Sequence, residues 1–134
     1  TDYFVIDLVA YIAACKVPYS DSEHNCFDTA AAAFPHSAAV ADLRAWWNAQ
    51  PRDTRAKLSR GELQLDLDDM ARRFGLSRAH APTGRELGVI KQLDIAPPIF
   101  CVGAPGAWFL RMQGKALKLP EHRGHLVARA WSVV

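Results

Sequence analysis

Pro97-Pro98-Ile99-Phe100-Cys101-Val102-Gly103-Ala104-Pro105-Gly106-Ala107-Trp108-Phe109-Leu110-Arg111-Met112 is the stretch whose reading decides the fold class. Ile99 to Val102 reads as a strand, Gly103 to Gly106 as a turn, and Trp108 to Met112 as a second strand. Gly114 to Lys118 extends the hairpin, and Pro120 to Gly124 is a loop. His125 to Val134 is then the final strand. Upstream of the two prolines the apolar residues recur at helical spacing. Helices followed by antiparallel strands make an α+β chain, expected as one domain with a helical part about 1–95 and a sheet part about 96–134.

Working back from the hairpin, Thr83 with Glu86 three residues on has the capping-box pattern, which predicts a helix over Arg85 to Leu93. Asp66 or Leu67 through Phe74 reads as a short helix closed by Gly75, and Asp53 to Arg60 as another, ending at Gly61. Ser37 caps Ala38 to Gln50, with Val40, Leu43, Trp46 and Trp47 inward. Asn25 caps a helix from Cys26 to Phe34, whose four alanines let it pack closely as a central buried helix. Tyr3 to Cys15 is a helix with Asp2 as N-cap and Phe4, Leu8, Tyr11, Ile12 and Cys15 as the buried stripe.

The chain has 134 residues, half of them apolar, and a net charge of +2. That is long enough for a real core and too nearly neutral for a strong field toward nucleic acid or anionic lipid. Arg52, Arg55, Lys57 and Arg60, with Arg72 and Arg73, form a local basic excess that reads as a solvated helix face. The three cysteines, Cys15, Cys26 and Cys101, show no zinc spacing, so no metal or other cofactor is expected. Phe4 to Ala14 is too short to span a membrane and lacks the basic leader of a signal peptide. An opening this abrupt is compatible with a fragment of a larger protein.

Cys26 and His125 carry the candidate chemistry. A thiol where a helix begins sees the positive end of the helix dipole, which favours thiolate. An imidazole brought beside it by the last strand takes the thiol proton and returns it to a leaving group. Asp28, one turn on, would raise the thiol pKa, so it is expected to cap or pair elsewhere. Cys15 and Cys101 read as core, His24 as exposed loop, and His36 and His80 as solvent residues. Trp108, beside the Gly/Pro turn, is either core or the lining of a cleft.

Taken in order, these phrases resemble the papain-like cysteine peptidases of bacteria, in particular the bacteriocin-processing peptidases and the effector peptidases of plant pathogens. The matching texts are Val17-Pro18-Tyr19-Ser20, Asn25-Cys26-Phe27, Arg73-Phe74-Gly75-Leu76, Ile95-Ala96-Pro97-Pro98-Ile99 and Gly124-His125-Leu126-Val127. The resemblance implies a papain-like fold with the Cys-bearing helix packed on the C-terminal sheet, Cys26 as nucleophile and His125 as base and acid. The reaction would be attack on a peptide, isopeptide or amide carbonyl through a thioester. The start of the helix would hold the oxyanion, with Ser20 standing where the family has glutamine and Asn25 nearby. No Asn or Asp follows His125 to orient it. The resemblance further implies a secreted or injected bacterial effector, a protein or peptide substrate, and a cognate inhibitor or immunity protein.

Two other readings compete. One is a papain-like interaction domain without activity. The other is a DNA-binding winged helix, with Leu67 to Leu76 and Arg85 to Leu93 as its helix-turn-helix and Phe100 to Met112 as its wing.

Overall fold

The computed structural model describes residues 6–20, 24–60, 67–90, 99–112 and 114–133. Helices come first: α1 (Leu8–Cys15), α2 (Cys26–Ala31), α3 (Ala38–Ala49), α4 (Arg52–Arg60) and α5 (Leu67–Arg73). The strands are β1 (Ser77–Ala79), β2 (Glu86–Ile90), β3 (Phe100–Ala104), β4 (Ala107–Met112), β5 (Lys115–Pro120) and β6 (Val127–Ser132). They form one six-stranded sheet in the order β1-β6-β2-β3-β4-β5, with each neighbouring pair antiparallel. The α+β class read from the sequence therefore holds, but the sheet begins well before residue 96.

The helix starts reflect local chemistry. The Asn25 side chain accepts the Asp28 N–H while the Asp28 carboxylate accepts the Asn25 N–H, a reciprocal capping box. The Ser37 side chain accepts from Val40 N–H in the same manner. Helix α1 starts at Leu8 and not at Tyr3, because Asp7 is its N-cap and accepts the Ala10 N–H at 3.0 Å; Asp2 lies outside the described residues. Its buried residues are Tyr11, Ala14 and Cys15, whereas Ile12, assigned inward, is exposed. Gly75 closes α5 at φ +80°. The expected solvated basic face is interrupted by Arg55, which is only 5% exposed.

The helix expected over Arg85 to Leu93 is instead strand β2 as far as Ile90; positions 91–93 lie outside the described residues. Glu86 does reach back to the Thr83 N–H, at 2.7 Å, as a capping box requires. Its carboxylate also accepts the Thr83 hydroxyl and the N–H groups of Gly84 and Arg85, so it orders a loop. Beyond it, Gly88-Val89-Ile90 combines a poor helix former with two β-branched residues, and both edges of the segment are taken up by β3 and β6. This removes the second helix of the winged-helix reading.

The sheet has two dissimilar faces. The helices cover the one that presents Leu87, Val89, Phe100, Val102, Trp131 and Val133, where Phe27, Leu43 and Trp47 complete the main core. Phe100 meets Phe27 and Trp47 edge-on, with ring centroids 4.7 and 5.1 Å apart. The opposite face carries a smaller cluster of Cys101, Trp108, Leu110 and Ala130. Over it passes a 3₁₀-helix, Glu121–Leu126, which touches β4 and β5 on its way to β6. Among the described residues no helix is long and apolar enough to cross a membrane.

Candidate functional site

Cys26 is the first residue of α2, as the sequence predicts. Its Sγ accepts the Phe100 N–H at 3.2 Å and lies 3.9 Å from the Phe100 carbonyl oxygen, so the sulfur is docked on the start of β3. Burial pushes the thiol up to about 11; the Phe100 N–H and the nearby Arg111 charge pull the other way without overcoming it. The thiol that a helix start was expected to favour as thiolate is therefore held protonated by desolvation. Cys15 and Cys101 are buried free thiols, both raised by burial.

His125 is not in the final strand. It is an exposed residue of the 3₁₀-helix, and β6 begins two residues later at Val127. Its neighbour Gly124 stands against the Trp108 indole, where a Cβ would lie 3.5 Å from Nε1. That places the His125 segment over the Trp108 face, whereas Cys26 packs with the main core on the helix face. The two residues do not meet as a pair.

The other expected members are engaged locally. Asn25 Nδ2 donates to Asn48 Oδ1 at 2.7 Å while its Oδ1 caps α2, and the residue is buried. Ser20 and His24 bridge through their backbones. The His24 ring, expected in solvent, has Nε2 at 2.9 Å from the Ala14 carbonyl and 3.0 Å from Thr29 Oγ1. A carbonyl only accepts, so Nε2 carries a proton. Arg111 closes the same corner by donating to Val17 O at 2.6 Å and to Thr29 Oγ1 at 3.3 Å. These contacts tie the α1–α2 connection to α2 and β4. Asp28 is fixed in its turn by Arg44 and Asn48, at 2.6 and 2.8 Å. Burial opposes its charge, but the Asn25 N–H, Asn48 and Arg44 outweigh it and hold the carboxyl below its ordinary value.

Trp108, 2% exposed, lines a cavity of about 90 Å³ on the opposite face. Arg78, His80, Gly124 and β6 residues around Ala128 complete the wall. Ala128 is the extra residue of a β-bulge: Val89 pairs with Arg129 and Ile90 with Val127. Sequence reading named Trp108 as a cleft lining but none of the other wall residues, because the bulge leaves no composition signal and because β1, at its edge, is only three residues long. Among the described residues, no group of three or more His, Cys, Asp or Glu side chains is placed to hold a metal ion. Comparison with models of protein families, with curated proteins and with solved structures finds no match to this chain.

Proposed function

We propose that this chain is a protein-binding domain, the non-catalytic form of the papain-like arrangement, acting through the outer face of α1. The observation that carries the reading is that face. Val9 is 80% exposed and Ile12 38%, and Val17 and Tyr19 continue the apolar surface into the following loop. A helix that is apolar on its outer as well as its inner side calls for cover from a partner. Exposed Lys16 lies in the patch and Arg111 is bound at Val17, so the matching surface is apolar and edged with carboxylates.

The peptidase or acyl-transferase reading is the second one, favoured by Cys26 at a capped helix start with a backbone N–H on its sulfur. Against it stand the raised thiol and the placement of His125 on the other face of the sheet. Alkylation of the native protein by iodoacetamide at neutral pH separates the two. Cys26 is expected to react no faster than an ordinary protein thiol; rapid, selective alkylation of Cys26 establishes a reactive thiol and overturns the non-catalytic reading. For the binding face, peptides selected from a random library against the folded domain are expected to be apolar and acidic. Ile12→Lys should weaken them at least about tenfold. Selected binders indifferent to both Val9→Lys and Ile12→Lys refute the α1 assignment.

A further inference from the structure

We propose that the cavity beside Trp108 is an oxyanion-binding site that takes a carboxylate or phosphate group of a ligand. It is separate from the α1 face, and its test does not depend on what covers that face or on whether Cys26 reacts.

The donors come first. Trp108 is almost wholly buried, yet its indole N–H makes no hydrogen bond to any described residue, and the ring lines the cavity. The N–H itself is not sealed from solvent, so it opens onto the cavity as an unused donor. Gly124 is the residue that stands over it, and the absent side chain leaves Nε1 uncovered. On the other wall the bulge at Ala128 sets one residue of β6 outside the ladder with β2, and that residue lines the space. His80, at the end of β1, adds an exposed imidazole.

The charge comes second. Arg78 and Arg129 line the site, and no described Asp or Glu does. Asp68 reaches both guanidiniums from outside the lining: Arg78 at 3.0 Å to each oxygen and Arg129 at 3.5 Å. The carboxylate holds the two side chains together at the cavity wall. Size then narrows the ligand class. A volume near 90 Å³ gives room for a small oxyanion head group, and the exposed residues Arg78, His80 and Ala128 leave the site open to solvent for the rest of the ligand.

The test is a titration followed on the Trp108 indole N–H resonance by heteronuclear NMR, with Trp108→Phe identifying the signal. Sodium acetate and inorganic phosphate form the two arms, and sodium chloride at matched ionic strength is the control. A saturable downfield shift with acetate alone identifies a carboxylate source; one with phosphate alone identifies a phosphate source; both support the site. Gly124→Ala is the decisive variant. Its Cβ would sit at ordinary contact distance from Nε1, so the fold is retained while the N–H is covered. It should weaken binding about tenfold, the equivalent of one hydrogen bond to a charged acceptor. No saturable shift with either anion, or equal titration of Gly124→Ala and the parent chain, overturns the proposal.

Discussion

Cys26 and Asp28, two residues apart, show how one helix start sets opposite fates for two acidic groups. Asp28 has three donors and stays charged; Cys26 has one N–H and stays protonated. Because folding raises the Cys26 pKa toward 11, the folded chain holds that proton more tightly than the unfolded one. Its contribution is complete below the ordinary thiol range and is lost as pH climbs through it. The urea midpoint should therefore fall from about pH 8.5 upward, and Cys26→Ala should flatten part of that fall. Identical alkaline profiles would show that Cys26 titrates normally. For Asp28 the sign is reversed: its lowered pKa stabilises the fold above the carboxylate range and is lost in acid. Asp28→Ala should cost about 2–3 kcal/mol, since it removes a capping partner and charge-assisted hydrogen bonds together. Chemical denaturation at neutral pH measures it. At this scale the sequence was legible where a side chain acts on its own neighbours, as with Asn25 and Ser37. It was not legible for His125, whose position depends on which face of a distant sheet the chain crosses.

Strand β2 is the instructive element. Thr83 and Glu86 form the contact their spacing predicts, yet the chain leaves Glu86 as a strand, because a capping interaction fixes one turn of backbone and has no hold on the residues beyond it. Tertiary pairing on both edges of the strand supplies far more than one cap. The same carboxylate makes Gly103 obligatory. A Cβ there would meet the Glu86 Cβ at 2.9 Å as well as its carboxylate, and Glu86, held by three backbone N–H groups and a hydroxyl, has no freedom to retreat. Gly103→Ala should destabilise by about 1–3 kcal/mol, the range for overpacking. Pairing it with Glu86→Ala should recover part of the packing cost in a double-mutant cycle. Strictly additive effects would remove the explanation. Helices α2, α3 and α5 were legible to within a few residues, since their caps lie in sequence beside them. Strands β1 and β2 were not, since the β6 residues they pair with come 51 to 55 positions later for β1 and 37 to 46 later for β2.

Across the whole molecule, the order β1-β6-β2-β3-β4-β5 puts the last strand between the first two. Among the described residues strand β1 pairs with β6 alone, and Trp131 of β6 joins the main core and donates to Asp68 at 2.8 Å. A chain truncated after Leu126 should lose its cooperative urea transition, whereas Leu117→Ser on exposed β5 should leave it within about 0.5 kcal/mol. A truncated chain that still unfolds in one steep transition would show that β6 is an accessory strand. The antiparallel class was readable from the hairpin that opens at Phe100. The insertion of β6 was not, because nothing in a strand's own residues says which neighbours it will lie between.

That insertion bears on how the chain is made. As the polypeptide leaves the ribosome, β3, β4 and β5 can zip as local hairpins as they emerge, but among the described strands β1 has no pairing partner and β2 keeps a bare edge until the closing segment arrives. During that interval the nascent chain offers an open docking strip to any passing β-strand, so its yield in a cell should track how well chaperones shield that strip.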